Sequence, residues 1–560
     1  MNFKALESAQ KLRGGYYTPP PIAEFLGAWA LEKNPSTVLE PGCGDGSFLR
    51  ALGTVAKKKL RVLGIERDKN EARKAQAVVT FGNFDATSQV RTADFFDWVL
   101  QNKATFDSIV GNPPFIRYQY LEPDQQSAAE KLFASHGLPF TKHTNAWVTF
   151  VLASMAALNP GGRLAMVVPS ELLHVLHASG LRQYLLQHCA TIQIVDIQEI
   201  VFGDTLQGTV LLLAEKRERG DTSPARLAIK RIANAEAIWK RSSKLFTDVD
   251  WVIGADLTYK WMAAYLSKDE RLLLADLTQR GAAVAFNDVA KVDVGMVTGA
   301  NKFFLVTDET VREHKLEAYA VPMFGRSDHV SGVIYGARDH ADNAKRGQPT
   351  NFLDFSSVGA RMPANVKRYL ALGEEEGIHR RFKCRVRKPW YVVPSIYATP
   401  VGMLKRCHHF PRLVRNKLGA YTTDTAYRID AISKIYPPDT LVASFVNSLT
   451  ALSAELVGRH YGGGVLELVP SEIERLALPS LPAKFPAQLV ELDKAVRAST
   501  PAVELLEQRD EIVLRGAGLT PDECALLRGG WQKLSARRQR SSTTPDGANP
   551  EDGWESLAAE

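Results

Sequence analysis

The sequence predicts an α/β protein with a Rossmann-like layer near the amino terminus and a mixed α+β domain after it. Short apolar strands alternate with helices up to about residue 215, which indicates a mainly parallel sheet. A glycine-rich turn follows the first strand, and an Asn-Pro-Pro-Phe tetrapeptide follows a later buried strand. Beyond Glu215 the chain becomes polar and turn-rich and then irregular, which predicts a second domain.

We assign the elements from apolar runs and the turn residues that bound them. The domain boundaries expected from composition are 1–220, 245–480, a helical segment at 485–538 and a disordered tail at 539–560. The predicted strands are 38–40, 61–66, 88–91, 106–111, 163–168, 192–195 and 209–213, with helices from residue 69 and at 146–158.

The bulk properties exclude several classes of protein. The 560 residues are too many for a single compact core. The five cysteines are scattered without a C-x-x-C pair, and no ligand spacing accompanies His408 and His409, so we predict neither a disulfide framework nor a metal site. No apolar run reaches membrane-spanning length and the first residues lack an apolar signal region, so we expect a cytoplasmic protein with no membrane partner.

The positive charge is concentrated in the predicted second domain. The net charge of +7 is mild for this length, but two dense basic runs suit a polyanion such as nucleic acid. A solvated loop is an equally good interpretation of these runs by themselves. The basic residues are Arg380, Arg381, Lys383, Arg385, Arg387 and Lys388, and then Lys405, Arg406, Arg412, Arg415 and Lys417.

The strongest chemical signal is Asn112-Pro113-Pro114-Phe115, directly after a buried strand. Open α/β sheets bind ligands at the carboxyl ends of their strands. The Asn112 side-chain oxygen and the Pro113 carbonyl can accept from an exocyclic amine, and consecutive prolines fix φ. Phe115 offers a face on which a base can stack. The alternative is a plain turn followed by a core phenylalanine.

The second signal is the glycine turn, Glu40-Pro41-Gly42-Cys43-Gly44-Asp45-Gly46. Its G-x-G-x-G spacing differs from the dinucleotide fingerprint. Glu40 and Asp45 place negative charge beside the turn, which favours a cationic ligand such as the methionine end of S-adenosylmethionine. A tight turn with no ligand is the alternative.

Two further acids follow predicted strands. Glu66 lies about 20 residues after the turn, where a ribose-hydroxyl acceptor is expected. Asp94 precedes Phe95, so the pair can accept from a cofactor adenine and pack on its ring. Each acid is a weak signal by itself, but the order and intervals of the four elements are specific.

The chain resembles the gamma-type DNA adenine-N6 methyltransferases of restriction–modification systems, the TaqI-like and PaeR7I-like group. The motifs that carry the resemblance are Tyr17-Thr18-Pro19, the glycine turn, the two acids, Asn112–Phe115 and Gly161–Leu164, in the gamma order. The resemblance implies that Tyr17, Thr18 and Pro19 contact S-adenosylmethionine, with Asn112 and Pro114 also beside it. It implies that Phe202 packs on the target adenine together with Phe115, although Gly203 stands where the family often has proline.

The resemblance covers roughly residues 12 to 480. It implies a carboxyl-terminal target-recognition domain, double-stranded DNA as partner, a flipped-out adenine and a monomeric enzyme. It leaves open whether a separate cognate restriction endonuclease exists. We expect DNA contacts from Arg385, Arg387, Lys388, Arg412, Arg415 and Lys417.

Three alternatives are open at this point. An RNA amine or a protein glutamine amide also presents a planar NH₂ group, although enzymes acting on them usually lack a large specificity domain. A non-catalytic DNA-binding module is the second alternative, against which the intact motifs argue. A fused nuclease is the third, and the Tyr-Thr-Pro segment near residue 16 leaves no room before it for a nuclease domain.

Overall fold

The structure is a computed structural model, which describes residues 18–142, 144–198, 208–239, 245–253, 260–359 and 361–539. The chain divides into two compact units, residues 1–267 and residues 268–560.

The first unit is built around one nine-stranded sheet. Its strands are β1 (Thr37–Pro41), β2 (Arg61–Glu66), β3 (Gln89–Thr92), β4 (Phe106–Gly111), β5 (Leu158–Pro169), β6 (Cys189–Ile197), β7 (Thr209–Lys216), β8 (Arg226–Ile232) and β9 (Val252–Ile253). Its α-helices are α1 (Pro20–Leu31), α2 (Ser47–Val55), α3 (Lys69–Phe81), α4 (Phe95–Gln101), α5 (Pro123–Ser135), α6 (Ala146–Ala156), α7 (Ser179–His188) and α8 (Ala235–Trp239).

The strand order of this sheet is β3-β2-β1-β4-β5-β7-β6-β8-β9. The first five strands in that order are parallel, with Leu39 opposite both Leu63 and Ile109. Strand β7 is antiparallel and lies between β5 and β6. The predicted Rossmann-like layer with a mainly parallel sheet is therefore confirmed.

Local sequence explains where the helices of this layer begin. The Asp68 carboxylate caps α3 by accepting from the Asn70 and Glu71 amides, and Asp94 caps α4 in the same way. Helix α6 is apolar on every side, and ten of its eleven residues are buried, so it is a core helix against the sheet.

The sheet continues past residue 220, where composition places the end of the first domain. Strand β8 pairs with β6 in a parallel register from Thr191–Arg226 to Ile197–Ile232, and β9 pairs with β8. The polar stretch before β8 is therefore a loop within the first unit, because its two flanking strands lie in one sheet.

The second unit is a mixed α+β assembly, as predicted. Its strands are β10 (Ala283–Ala285), β11 (Ala290–Val294), β12 (Leu305–Val306), β13 (Ala320–Phe324), β14 (Ile334–Tyr335), β15 (Asn351–Leu353), β16 (Val401–Leu404), β17 (Arg406–Cys407), β18 (Leu413–Asn416), β19 (Tyr421–Thr422), β20 (Ala426–Ala431), β21 (Arg459–Tyr461), β22 (Val465–Glu467) and β23 (Ala477–Pro479). Its α-helices are α9 (Lys268–Gln279), α10 (Phe286–Val289), α11 (Asn301–Phe304), α12 (Asp308–His314), α13 (Ala337–Lys345), α14 (Ala364–Glu375), α15 (Phe382–Arg385), α16 (Pro438–Phe445), α17 (Ser448–Val457), α18 (Pro470–Ile473), α19 (Leu489–Arg497), α20 (Ala502–Val513) and α21 (Pro521–Gln539).

Short strands form four small sheets in this unit, the largest with the order β11-β20-β16-β18-β14. The helices after residue 485 belong to the same compact unit as the sheets. The buried Asp510 of α20 accepts from the Ser448 amide of α17 at 2.8 Å and forms an ion pair with Arg528 of α21 at 2.6 Å. The carboxyl-terminal helices are therefore fastened to the second unit by buried polar contacts.

Within the described ranges, no single helix has the length and apolar content to cross a membrane. Helices α16 and α17 reach that length and composition only as a pair, bent by 77°.

Candidate functional site

The predicted site residues follow the strands at one edge of the first sheet. Strand β1 lies between β2 and β4, and the chain changes direction across the sheet between β1 and β4. Such a switch point leaves a crevice at the carboxyl ends of the strands, where open α/β sheets bind ligands. The glycine turn follows β1, and Asn112 follows β4, so the two strongest sequence signals flank this crevice.

The glycine turn needs left-handed backbone at three positions. Gly42, Gly44 and Gly46 have φ of 66°, 51° and 89°. The Gly42 and Cys43 amides both donate to the Ile65 carbonyl, at 2.8 and 3.0 Å, which ties the turn to the end of β2. A side chain at Gly44 would meet no heavy atom within 4 Å, so this part of the turn borders open space.

We expect Gly46→Ala to lower the free energy of unfolding by about 2 kcal/mol or more, from left-handed strain plus a steric clash. A β-carbon at Gly46 would lie 3.1 Å from the Ala75 α-carbon, which is backbone and cannot move aside easily. Denaturant unfolding of the full chain measures the change. Gly44→Ala is the matched control, because it adds the backbone strain without a steric contact. Equal losses in the two variants would contradict the steric part of this account.

Glu40 lies at the end of β1 with only 3% of its surface exposed. Burial, followed by repulsion from Asp45 and Glu66, raises the pKa of this carboxyl well above its usual range. In the described part of the chain its Oε2 atom has no hydrogen-bond partner. A buried carboxyl oxygen without a hydrogen-bond partner is suited to receive a cationic group of a ligand.

Asp45 and Glu66 are held by the turn itself. The Asp45 carboxylate accepts from the Ser47 hydroxyl at 2.7 Å and pairs with the Arg50 guanidinium. The Glu66 carboxylate accepts from the Gly44 amide at 2.9 Å and the Asp68 amide at 2.8 Å. Each carboxylate oxygen has two lone pairs, so Glu66 keeps capacity for a further donor while it fixes the turn.

Asp94 and Phe95 follow β3. One Asp94 oxygen caps α4, and the other accepts from the Gln125 amide at 2.7 Å. Phe95 is buried, and its ring centroid lies 5.3 Å from that of Phe150 on α6. Phe150 also borders Gly42, because a β-carbon added at Gly42 would lie 3.4 Å from the Phe150 ring. Neither Gln125 nor Phe150 was predicted from the sequence, because both contacts join separate elements.

The Asn112–Phe115 tetrapeptide lies directly after β4, outside regular secondary structure. Asn112 and Phe115 are half-buried, whereas Pro113 is buried. A β-carbon added at Gly111 would lie 3.4 Å from the Pro41 carbonyl oxygen. The tetrapeptide therefore starts beside the end of β1. Phe115 also packs against the apolar core of the first unit.

Thr18 and Pro19 lead into α1, and Thr18 is buried with a hydroxyl that has no hydrogen-bond partner in the described part of the chain. Tyr17 and Phe202 lie outside the described residues, so their predicted roles stay predictions. The described residues after β1 to β4 nevertheless suit S-adenosylmethionine: a buried acceptor for its positive charge, a turn without side chains and an aromatic wall.

The predicted DNA-binding residues of the second unit fall into two groups. Arg385, Lys388 and Lys417 are exposed. The Arg387 guanidinium instead donates to the carbonyls of Val297 and Thr298 at 2.6 and 2.8 Å.

Arg415 is likewise held within the protein. It pairs with Asp439 and donates to the Pro400 carbonyl at 2.9 Å. Arg412 is half-buried, and this burial lowers its pKa. Arg387 and Arg415 therefore use much of their hydrogen-bonding capacity within the protein, and Arg412 is partly withdrawn from solvent. The charge pattern of the sequence did not reveal this.

Two family models match successive parts of the chain. Residues 3–247 match the N-6 DNA methylase family, and residues 258–514 match the carboxyl-terminal domain of the type II methyltransferase M.Eco57I.

Individual relatives are similar over most of their length. The type II methyltransferase M.AccI of Acinetobacter calcoaceticus is 23% identical, covering 82% of this chain and 84% of its own. M.XamI of Xanthomonas campestris pv. amaranthicola is 22% identical, covering 84% of this chain and 85% of its own. The DrdV–DNA complex, solved by cryo-electron microscopy, has 12% identity and a TM-score of 0.49 over 89% of this chain and 58% of that chain.

Proposed function

We propose that this chain methylates the N6 atom of an adenine. It belongs to the N-6 DNA methylases, which are S-adenosylmethionine-dependent DNA methyltransferases of restriction–modification systems. The target adenine lies within a specific sequence of double-stranded DNA. The observation that carries this proposal is the position of Asn112–Phe115 after β4, beside the glycine turn after β1 and at the switch point of the sheet.

The chemistry follows from the groups at this edge. S-adenosylmethionine, when bound, supplies an electrophilic methyl group. The adenine is rotated out of the duplex because its amino group is otherwise hidden in the stack. The Asn112 side-chain oxygen and the Pro113 carbonyl accept the two amino hydrogens, and Phe115 stacks on the ring, with Phe202 as its second aromatic contact. The new N–C bond forms as the C–S bond breaks, and the amine then loses a proton to solvent.

The residues that hold the cofactor divide by the part of it they suit. Glu40 and the turn around Gly42 and Gly44 receive its methionine end, together with Tyr17, Thr18 and Pro19. Glu66 accepts a hydrogen bond from the ribose. Asp94 and Phe95 receive the adenine of the cofactor, and Phe150 adds a second aromatic ring beside Phe95. Asp45 orients the start of α2 through Ser47 and Arg50. Holding both reactants in line is the main source of rate, because the leaving group is neutral.

Glu40→Gln should weaken cofactor binding about 10- to 100-fold, because a hydrogen-bonded charge is lost. The cationic cofactor favours the ionised carboxylate, whose pKa is raised in the free protein. Affinity therefore increases as pH rises through that pKa, and Glu40→Gln removes this increase. Calorimetric titration across pH measures both effects.

The same substitution separates binding from stability. Glutamine removes the penalty of burying an ionised group, so Glu40→Gln should raise the Tm of the free protein at neutral pH. Glu218→Gln, at an exposed loop residue, is the control for loss of one negative charge. A Glu40→Gln variant that loses stability yet keeps wild-type affinity would remove Glu40 from the cofactor site.

For DNA, we assign the exposed Arg385, Lys388 and Lys417 to phosphate contacts. The loops that carry these exposed residues are shaped by Arg387, Arg412 and Arg415, which also add to the positive electrostatic field. The enzyme acts as a monomer, and a separate endonuclease of the same specificity is its proposed partner in a restriction–modification system.

Sequencing genomic DNA from cells that express the protein, with detection of modified bases, tests the proposal. We expect N6-methyladenine at one recurrent sequence, and none in cells expressing Asn112→Ala. A purified-protein assay with labelled S-adenosylmethionine should transfer label to duplex DNA and not to RNA or protein. Transfer to RNA or protein alone would overturn the proposed substrate.

A further inference from the structure

One stretch of the second unit combines many basic residues with a complete lack of acids. Residues 377–423, here called the acid-free segment, contain eleven lysines and arginines and no aspartate or glutamate. The whole chain has a net charge of only +7, so the remainder is net negative. Such a sharply bounded excess of positive charge suits a polyanion and selects against acidic partners.

Two large apolar side chains are exposed within this segment. Phe382 is 63% exposed and Val386 is 62% exposed. They lie four residues apart across the short helix α15 and its end, which places them on the same side. Exposed basic residues surround them in the sequence, namely Arg380, Arg381, Lys383, Arg385 and Lys388. An apolar pair inside a cationic surface is the chemical pattern of a group that contacts bases between phosphates.

The opposite side of α15 is anchored to the protein. Cys384 is fully buried, and its thiol lies 3.8 Å from the Thr298 carbonyl. The Arg387 guanidinium donates to the carbonyls of Val297 and Thr298. Because these two residues fix the helix, the outward side chains are held on a rigid support.

The Phe382 ring is also oriented by its neighbour. The Arg385 guanidinium carbon lies 5.5 Å from the ring centroid, within the range of a cation–π contact. A partly ordered aromatic side chain loses less entropy on binding than a free one. The arrangement therefore presents an aromatic edge and a charge together.

We propose that Phe382, supported by Val386, is an apolar wedge that enters the DNA base stack while the surrounding cations hold the flanking phosphates. This inference rests on the proposed function, because it takes duplex DNA as the ligand. Unstacking a base step lowers the barrier to rotating a neighbouring nucleotide out of the helix. Phe382 is thus assigned a role in deforming the substrate, separate from the groups that hold the amine and the cofactor.

Salt dependence distinguishes a wedge from a phosphate contact. Each neutralised phosphate adds about one unit to the slope of log affinity against log salt. Phe382→Ala should weaken binding to a short duplex that carries the methylated sequence about 10-fold or more, without changing that slope. Lys383→Ala should weaken binding and lower the slope by about one. It keeps the β-carbon that packs beside Gly299, so the local packing is preserved.

Controls separate the wedge from general loss of an aromatic group. Phe81→Ala removes an 87% exposed phenyl from α3 and should leave DNA affinity unchanged. Phe382→Leu should recover part of the affinity, and Phe382→Ala should reduce DNA bending, as measured by energy transfer between end-labelled strands. Unchanged Tm in all variants shows that the fold is intact.

The outcomes are decisive in each direction. If Phe382→Ala binds and bends the duplex like wild type, the wedge is wrong, and an apolar contact for a protein is then the better explanation of this surface. If wild type binds duplex DNA in a Phe382-dependent way but transfers no methyl group, the wedge stands and the proposed function fails.

Discussion

Asn112→Ala should lose about 10²- to 10³-fold in turnover, because it removes an acceptor placed on the reacting amine. Cofactor affinity and duplex affinity should stay near wild type, since the glycine turn and the second unit are untouched. Single-turnover transfer of labelled methyl, measured with saturating DNA and cofactor, isolates the chemical step.

The control for Asn112 is Asn83→Ala, at an exposed asparagine in the loop between α3 and β3, away from the carboxyl ends of the strands that carry the site. It should methylate DNA at the wild-type rate. Asn112→Asp is a second informative variant, because the side chain keeps its acceptors but gains a negative charge. A wild-type rate in Asn112→Ala would exclude the amide from the reaction.

The first unit could be predicted well because each motif directly follows a short apolar strand. The apolar runs before Glu40, Glu66 and Asn112 predicted three parallel strands, as the structure has them. Parallel strands bring the residues at their carboxyl ends to a single edge of the sheet. The antiparallel direction of β7 was not accessible, because local periodicity does not encode strand direction. The same holds for β8, which joins the sheet through long-range pairing alone.

Contacts between separate elements were also beyond the sequence. Gln125 donates to Asp94 from 31 residues away, and Phe150 reaches Phe95 from a helix that is apolar on every side. No pattern marks one residue of such a helix as different from its neighbours. In the second unit, strands of only two to six residues pair over long separations, as in Ala290 with Ala431. Charge alone could not tell exposed Arg385 from Arg387, whose donors hold a loop.

The carboxyl-terminal segment, which lies beyond the residues covered by the resemblance, contributes to a fully buried ion pair of the second unit. Arg538 of α21 and Glu455 of α17 are both fully buried, with 2.6 Å between Nη2 and Oε1. Burial alone would raise the pKa of Glu455, but Arg538 and His460 outweigh it and lower that pKa. Arg538 also donates to the His408 carbonyl at 2.6 Å and to the Gly464 carbonyl. One side chain thus joins the last helix to two loops of the predicted specificity domain.

Arg538→Ala should therefore lower the free energy of unfolding of the second unit by about 3–5 kcal/mol, because it leaves Glu455 buried and without its main counter-charge. Denaturant unfolding, followed by a probe in that unit, measures the loss. Gln532→Ala, at an exposed position of α21, is the matched control and should be near neutral.

A double variant decides whether charge or packing dominates at this pair. Removing both charges in Arg538→Met with Glu455→Leu should be less destabilising than Arg538→Ala, because no unpaired charge remains inside. A double variant at least as unstable as the single one would mean that Arg538 acts mainly through the carbonyls of His408 and Gly464. The loops would then be positioned by the last helix directly, and DNA sequence selectivity should fall in Arg538→Met even where the fold survives.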